Sequence, residues 1–246
     1  MNKYKRRRIV AGLTGLAAVL LLIFLNPAAY EKIYLEDVFG GGTPEVPETN
    51  NDPIEYSSDS ALAVLDKLEV KGRAPKAGYS REEFYDGWPK VDGCNLRQRI
   101  IKRDFGETAV LAKDGCTVLS GAFYEPYTGT EMSFSEKSEI SKGIQIDHVV
   151  ALSDAWQKGA QYFEKSKRYE IATDPLNLVA VESRANQQKS DGDAATWLPK
   201  NKSFRCQYVA RQVSVKYKYA LWVTQAEKDA IRNVLSSCPD EKAVGI

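Results

Sequence analysis

A short apolar run with two polar residues at its centre constrains the fold more than any other feature of the sequence. Residues 144–152 are rich in isoleucine and valine, which predicts a strand, and they carry Asp147 and His148 side by side. Successive side chains of a strand point to opposite faces, so the two polar groups leave the backbone in opposite directions. Burial of a polar group costs free energy unless it finds a partner. The pair, which includes the only histidine among 246 residues, therefore indicates a polar site.

The N-terminus carries a targeting pattern. Five lysines and arginines within the first eight residues precede an apolar run over residues 9–25. This order is typical of export with the basic end left in the cytoplasm. The run is close to the lower limit of roughly 17–25 residues for a membrane-spanning helix, so residues 1–30 are read as a signal peptide or an uncleaved anchor. Both readings place the rest of the chain outside the cell or on the outer side of the cytoplasmic membrane.

Residues 31–60 are predicted to be an acidic linker. Between residues 36 and 60 there are seven acidic residues, three consecutive glycines and three prolines, and no lysine or arginine. Such a stretch cannot bury enough apolar surface to order itself. Residues 61–240 are long enough for one sizeable core and are predicted to form a single domain. Without the basic N-terminus, 29 lysines and arginines face 33 acidic residues, so no global basic excess indicates an acidic partner.

The cysteines indicate disulfides rather than a metal site. The chain has four, Cys94, Cys116, Cys206 and Cys238, and none forms the Cys-x-x-Cys spacing of structural zinc sites. An even number of cysteines in an exported chain favours two disulfides, whereas four buried free thiols are the alternative. Three pairings are possible. We favour Cys94–Cys116 and Cys206–Cys238, because each pair is close in sequence and flanks predicted regular structure.

Hydrophobic spacing and turn signals predict a mixture of helices and antiparallel strands. A hairpin is predicted from residues 108–113 and 116–124, joined by a two-residue turn at Asp114-Gly115. A second strand near residues 178–181 follows the strand that carries Asp147. Helices are predicted over residues 61–68, 94–104, 153–163, 166–172, 183–190, 203–219 and 224–236, with a shorter one after Ser80. A hairpin with segregated helices points to the α+β class.

Several motifs surround Asp147-His148 in a definite order. In chain order they are Cys94-Asn95-Leu96-Arg97, the run from Asp147-His148 to Trp156, Asp174-Pro175-Leu176-Asn177-Leu178, Asn186-Gln187-Gln188-Lys189 and Trp197-Leu198-Pro199. Together they resemble the HNH, or ββα-metal, nuclease superfamily. They are most similar to exported HNH endonuclease family proteins and to the C-terminal domain of GmrSD-type restriction enzymes. The resemblance covers roughly residues 78–199 and implies a ββα-metal core with added helices and a hairpin.

The resemblance implies a role for each of four residues. Asp147 would be a metal ligand, and His148 would be the general base that takes a proton from water. Asn177 would hold the first strand, and so the histidine, in place. Asn186 would be the second protein ligand, where other members use histidine. Oxygen ligands suit Mg²⁺, with Mn²⁺ as the alternative, and structural zinc is not expected. A histidine near its ordinary pKa of roughly 6.5 would suit proton transfer at neutral pH.

The chain departs from the simplest HNH pattern between the first strand and the second. The long gap between His148 and Asn177 predicts a helical insertion over residues 153–172. The cysteine pairs that bind structural zinc in many HNH proteins are absent, which fits disulfides instead. Neither departure removes a residue with a predicted catalytic role.

Substrate contacts are predicted from local charge. Residues 142–218 contain thirteen lysines and arginines against eight acidic residues. A local basic excess favours contact with phosphates, although a solvated face of mixed charge would show the same count. Arg97, Arg184 and Lys189 are the candidates for phosphate contact. Lys189 lies one turn beyond Asn186, which places both on one helix face.

These observations predict a metal-dependent endonuclease that acts on DNA, with RNA as an alternative substrate. We expect a monomer that contacts the membrane only through its N-terminal segment. One rival is an exported cell-wall hydrolase, but a zinc amidase needs at least two histidine or cysteine ligands, and a carboxylate-pair glycosidase leaves His148, Asn177 and Asn186 unexplained. The other is a non-catalytic surface-binding module. It would tolerate loss of Asp147 or His148, and both are present.

Overall fold

The computed structural model describes residues 56–245, with side chains from residue 60. The predicted signal peptide or anchor and nearly all of the predicted linker lie outside these residues. The last five linker residues form strand β1 (Tyr56–Ser60), which pairs antiparallel with strand β9 (Lys242–Val244). The fold of the described chain therefore includes residues on both sides of the predicted domain, residues 61–240.

Helices and short antiparallel strands make up the described part of the chain, which confirms the predicted α+β class. The α-helices are α1 (Ala61–Lys67), α2 (Leu96–Phe105), α3 (Lys137–Gly143), α4 (Leu152–Gln157), α5 (Lys165–Thr173), α6 (Ser183–Lys189), α7 (Arg205–Tyr219) and α8 (Gln225–Leu235). The other strands are β2 (Lys90–Val91), β3 (Cys94–Asn95), β4 (Val110–Leu111), β5 (Val118–Glu125), β6 (Thr130–Phe134), β7 (Ile144–His148) and β8 (Leu178–Glu182). Between residues 56 and 245, no helix combines the length and apolar character needed to cross a membrane.

The Asp114-Gly115 turn joins β4 and β5 as an antiparallel pair, as predicted. Asp114 accepts hydrogen bonds from the backbone N–H groups of Cys116 and Thr117, and Gly115 adopts the left-handed φ of 68° that the turn requires. The turn is longer than the predicted two residues. The N–H of Ala112 donates to the carbonyl of Thr117, which leaves four residues between them.

Strand β6 and helix α3 occupy a region where the sequence patterns predicted neither element. β6 pairs antiparallel with β5, from Gly121 opposite Phe134 to Glu125 opposite Thr130. None of the β6 side chains is fully buried, so the strand leaves little hydrophobic pattern in the sequence.

The two strands predicted to carry the site form a separate antiparallel sheet. Asp147 of β7 lies opposite Val179 of β8, and His148 lies opposite Leu178. β7 ends at His148, earlier than the predicted residue 152, because Asn177 takes the hydrogen bonds that would continue the ladder. Helix α6 follows β8 directly, so the elements occur in the order strand, strand, helix.

Apolar side chains cover both faces of this sheet. Ile144, Ile146 and Leu178 belong to a buried cluster with Leu96 and Ile100 of α2. On the opposite face, the side chains of β8 pack in a second buried cluster with helix α7. The sheet is therefore held between helices, which fixes the position of the strand end that carries Asp147 and His148.

The connection between β7 and β8 contains helices α4 and α5, which confirms a helical insertion here. The helix predicted over residues 153–163 instead ends at Gln157, and a short 3-10 turn follows. Gly159 separates the two with φ 124°, and a Cβ atom there would lie 3.1 Å from the Trp222 ring. The sequence pattern did not indicate this break in the helix.

Both favoured disulfides are present, and no described cysteine is free. Cys94–Cys116 joins the start of α2 to the β4–β5 hairpin, with Cα atoms 5.4 Å apart. Cys206–Cys238 joins the start of α7 to the residues after α8, with Cα atoms 6.5 Å apart. Each closes a loop of moderate length, which in general contributes roughly 3 kcal/mol by restricting the unfolded chain.

Candidate functional site

Asp147 is buried and fully hydrogen bonded at the end of β7. The residue is 5% exposed. One carboxylate oxygen, Oδ1, lies 3.0 Å from the Nζ atom of Lys189, and the other accepts a hydrogen bond from the Tyr127 hydroxyl. Burial raises the pKa of Asp147 above its ordinary value, while Lys189 and Tyr127 pull it down only in part. Tyr127 was not singled out from the sequence, because it lies twenty residues upstream, in the turn between β5 and β6.

Lys189 lies inside the protein rather than on its surface. Its side chain is fully buried, and Nζ donates to Asp147 and to the backbone carbonyl of His148 at 2.9 Å. The sequence predicted that Lys189 shares a helix face with Asn186 and contacts a phosphate. That face of α6 packs against the sheet, so the ammonium meets a carboxylate of the protein instead.

His148 lies on the opposite face of β7 from Asp147, as the alternation of side chains in a strand requires. Its Nε2 atom is 2.9 Å from the carbonyl oxygen of Ala172 in α5. A carbonyl oxygen can only accept, so Nε2 carries the proton and Nδ1 holds the free electron pair of the neutral ring. Nδ1 is therefore the nitrogen that can act as a base.

Aromatic rings cover the imidazole. Trp88 stacks on His148 with ring centroids 5.9 Å apart and an interplanar angle of 8°, and the Tyr85 ring lies at the same centroid distance. Burial is the main cause that lowers the pKa of His148 to about 3, and the charges of Arg81 and Lys189 act in the same direction. The expectation of a pKa near the ordinary value was wrong for this structure, because the sequence did not reveal how completely the ring is covered.

Asn177 clamps the backbone that follows His148. Its side-chain oxygen accepts from the N–H of Val150 at 2.8 Å, and its side-chain nitrogen donates to the carbonyls of Val150 and Ile171. Its backbone carbonyl accepts from the N–H of Val149. The residue is completely buried. Asn177 thus connects both strands to the insertion, as a residue that positions the end of β7 would do.

Two arginines that the motifs did not include support the turn that carries Asn177. Arg211 of α7 and Arg103 of α2 both donate to the carbonyls of Pro175 and Leu178. Asp104 holds Arg103 and also accepts from the N–H of Ala180 in β8. No sequence pattern indicated these contacts, since arginine in a helix is usually a surface residue.

The remaining predicted site residues lie around the same sheet. Asn186 is half-buried, and its amide donates to Gln145 at 2.9 Å, on the face of β7 that also carries Asp147. Arg184 is exposed on α6. Arg97 is half-buried, donates to the carbonyl of Ile144 at 2.9 Å, and has its pKa lowered by burial. The structure therefore brings Asp147, Asn186 and Lys189 to one face, and Arg97 to the start of the strand.

The residues at this face fit a hard divalent cation in their donor chemistry. Asp147 offers carboxylate oxygens, and Asn186 retains an amide oxygen, which are ligand types that Mg²⁺ accepts together with water. The ammonium of Lys189, however, already lies against Oδ1 of Asp147. In the part of the chain that is described, no three histidine, cysteine, aspartate or glutamate side chains come together as a metal site. A cation at Asp147 would therefore share the carboxylate with Lys189 or displace it.

A polar cavity of about 420 Å³ opens beside Lys189, and its lining also includes Arg73, Asp191 and Trp197. It lies next to the ammonium that pairs with Asp147. Three lysines of residues 142–218, Lys158, Lys189 and Lys216, are completely buried in ion pairs, and three aspartates of the same span, Asp147, Asp154 and Asp193, are buried with them. The local basic excess therefore remains at the surface.

Six charged side chains, five of them buried, form a second cluster, which we call the six-charge network. Its members are Arg73, Lys158, Lys216, Asp154, Asp193 and Glu227. Lys158 and Lys216 are fully buried, and Lys158 contacts all three carboxylates at 2.6–2.8 Å. Three cations face three anions, so the network is electrically balanced. The sequence did not indicate it, because its members come from five separate segments.

Comparison with known families identifies the domain. Residues 96–234, more than half of the chain, match the family described as GmrSD restriction endonucleases, C-terminal domain. The chain belongs to this family. The resemblance carried by the sequence motifs is thereby confirmed, and the family extends it through α7 and nearly to the end of α8. Membership in the GmrSD C-terminal family indicates a nuclease-like function and, with it, a nucleic-acid substrate.

A curated relative supports export. The chain is 36% identical over 196 residues to a protein of Arthroderma benhamiae named "Uncharacterized secreted protein", and the match spans 78% of this chain and 90% of the relative. The two disulfides of the GmrSD-family domain fit an extracellular location. No solved structure matches the chain.

Proposed function

We propose that the protein is an exported endonuclease of HNH type that hydrolyses phosphodiester bonds in nucleic acid, with DNA as the main substrate. His148 acts as the general base, and Asp147 and Asn186 hold one divalent metal ion, Mg²⁺ or Mn²⁺. The observation that carries this proposal is the Asn177 clamp. It fixes the strand end that presents Asp147 and His148, next to the helix that bears Asn186, in a chain of the GmrSD C-terminal family.

The roles follow from the contacts of each side chain. The Ala172 carbonyl holds the proton on Nε2 of His148, so Nδ1 is left to accept a proton from water. The low pKa keeps the ring neutral at neutral pH, although it gives a smaller driving force for proton transfer than a base near pH 7 would have. Asn177 prevents the strand end from shifting relative to α5. A bound cation would neutralise charge on the scissile phosphate.

The three proposed phosphate contacts differ in how exposed their side chains are. Arg184 is exposed on α6, close in sequence to Asn186, and is the proposed direct contact. Arg97 and Lys189 would reach a phosphate only after leaving the Ile144 carbonyl and the Asp147 carboxylate. We also propose that residues 1–30 direct export and that the domain acts as a monomer outside the cytoplasm.

The test is nicking of supercoiled plasmid by the purified protein, with Mg²⁺ or Mn²⁺ and then with a chelator. His148→Gln is the decisive variant, because its amide can still donate to the Ala172 carbonyl but offers no base. Loss of a positioned general base lowers rates by roughly 10²–10⁴. The melting temperature of the variant checks that it folds. Cleavage at the wild-type rate by folded His148→Gln would refute the role of His148.

The same preparation separates the rival functions. Release of fragments from purified cell walls, without plasmid cleavage, would favour a cell-wall hydrolase. Binding without any turnover, in both assays, would favour a non-catalytic module. Metal-dependent nicking that the chelator abolishes supports the nuclease.

A further inference from the structure

A second cavity lies on the His148 side of the sheet. It has a volume of about 420 Å³ and is lined by the aromatic residues Phe84, Tyr85, Trp88 and Tyr169, together with Lys165. A volume in the range of roughly 300–1,000 Å³ is typical of sites for small organic ligands. The cavity is distinct from the polar one beside Lys189, since the two share no lining residue.

Two elements connect this cavity to His148. Trp88 and Tyr85 line the cavity, and their rings also pack on the imidazole at 5.9 Å. Helix α5 supplies Lys165 and Tyr169 to the cavity, and the same helix provides the Ala172 carbonyl that binds Nε2. A ligand in the cavity is therefore one aromatic ring away from the proposed base.

The lining suits a ligand that has a flat, partly polar ring and a negatively charged group close to that ring. Tyr169 is 42% exposed, which leaves an aromatic side chain open to solvent at the cavity mouth. Lys165 lies one turn before it, and the guanidinium of Arg81 lies 5.5 Å from the centre of the Tyr85 ring. Aromatic faces with nearby cations are what proteins use to stack bases of single strands and to meet their phosphates. Asp86, also in the lining, can accept a hydrogen bond from an exocyclic amino group of a base.

We propose that this cavity binds an unpaired nucleobase of a nucleic-acid strand by stacking against Tyr169 and Trp88, with Lys165 near the adjoining phosphate. The proposal rests on the proposed nuclease function and narrows its substrate to single-stranded regions. A base within a duplex is stacked on both faces and paired along its edge, so it cannot enter unless it leaves the helix. The cavity therefore selects unpaired strands.

The test measures binding rather than cleavage. A fluorescently labelled 12-nucleotide DNA strand, alone or annealed to its complement, is titrated with the purified protein in the presence of a chelator, and anisotropy is recorded. Tyr169→Ala should weaken single-strand affinity by about 5- to 150-fold, the range for loss of one stacked base. Tyr169→Phe should bind the single strand like the wild type. The affinity of Tyr169→Ala for the duplex should differ from that of the wild type by less than twofold.

The matched control is Tyr124→Ala, which removes a tyrosine that is 62% exposed and does not line the cavity. Its affinity for the single strand should equal that of the wild type. The proposal is overturned if Tyr169→Ala binds the single strand as tightly as the wild type does. It is also overturned if Tyr169→Ala loses the same affinity for single strand and duplex, or if the wild type does not bind the single strand. If the wild type nicks plasmid while Tyr169→Ala binds normally, the nucleobase site is refuted and the nuclease function stands. If His148→Gln nicks normally, the catalytic assignment fails whatever Tyr169 does.

Discussion

The domain buries two clusters in which lysine meets carboxylate, and they differ in how many partners each charge has. In the six-charge network, Lys158 contacts three carboxylates and Lys216 contacts two. In the other cluster, which we call the Asp147 pair, Lys189 meets the single carboxylate of Asp147. Its other described contact is a backbone carbonyl, and the second oxygen of Asp147 is held by a tyrosine hydroxyl.

We propose that the difference separates a structural role from a functional one. The network joins α4, α7, α8 and the segment after α6, and its charges cancel, so every ion has an oppositely charged partner within the protein. The Asp147 pair lies beside a polar cavity, and its carboxylate could exchange one cation for another. Burial of charge therefore does not by itself mark the site. What marks it is a buried carboxylate with one replaceable partner.

The largest expected effect is on stability, from Lys158→Met. The substitution leaves three buried carboxylates with two cations, and removal of one partner from a buried ion pair typically costs about 3–5 kcal/mol. Urea unfolding followed by circular dichroism measures the loss. Plasmid nicking at a temperature where the variant is folded should stay near the wild-type rate, because the network contacts none of the proposed catalytic groups.

Lys71→Met is the matched control for that measurement. Lys71 is 50% exposed and pairs with Glu69, which is also exposed, so its loss should cost no more than about 1 kcal/mol. Similar losses of stability for Lys158→Met and Lys71→Met would mean that the network stabilises the fold no more than a surface ion pair does. A folded Lys158→Met that no longer cleaves would remove the distinction between the two clusters.

Lys189→Met should have a smaller effect on stability and a specific effect on metal binding. The Asp147 carboxylate still accepts a hydrogen bond from Tyr127, and burial already raises its pKa. We therefore expect the free energy of unfolding to fall by about 2 kcal/mol. With no ammonium at Oδ1, Mn²⁺ should bind more tightly, by about tenfold or more, because one nearby positive charge is removed. Isothermal titration calorimetry with Mn²⁺ measures this without relying on activity.

Lys189→Arg keeps the charge and serves as the control, with Mn²⁺ affinity close to that of the wild type. Unchanged or weaker Mn²⁺ binding by folded Lys189→Met would show that Lys189 does not compete for Asp147. If neither protein binds Mn²⁺, the assignment of Asp147 as a metal ligand fails as well.

The sequence predicted those parts of the fold and site that depend on local patterns. The order of β7, β8 and α6 follows from two apolar strands and a polar helix, and both disulfides join cysteines that are close in sequence. Asn177 directly precedes β8, whose first residue, Leu178, lies opposite His148, so the order of the motifs agrees with the pairing of the strands.

The rest depends on contacts between distant residues, which no local pattern records. Lys189 reads as a surface lysine, and its partner Asp147 lies 42 residues away. Lys158 meets Asp193 and Glu227 across 35 and 69 residues. The low pKa of His148 results from burial among rings of residues about sixty positions upstream. In each case the sequence predicts the chemical group but not its solvent exposure, and exposure determines what the group does.

The smallest expected effect is the contribution of one network carboxylate to the pH dependence of stability. Burial by itself raises the pKa of Asp193, but Lys158 and Arg73 more than offset this and hold the pKa at about 2. Because the folded pKa is below the unfolded value of roughly 3.9, the carboxylate stabilises the fold above pH 4 and loses this contribution as pH falls toward 2.

Asp193→Asn should therefore be less stable than the wild type by about 1.5 kcal/mol at pH 6, and the gap should narrow between pH 4 and pH 2.5. The measurement is urea unfolding at several pH values, with Asp240→Asn, an exposed carboxylate, as the control. A gap that stays constant down to pH 2.5 would mean that Asp193 stabilises the fold through packing and not through its charge, and the contrast between the six-charge network and the Asp147 pair would lose its electrostatic basis.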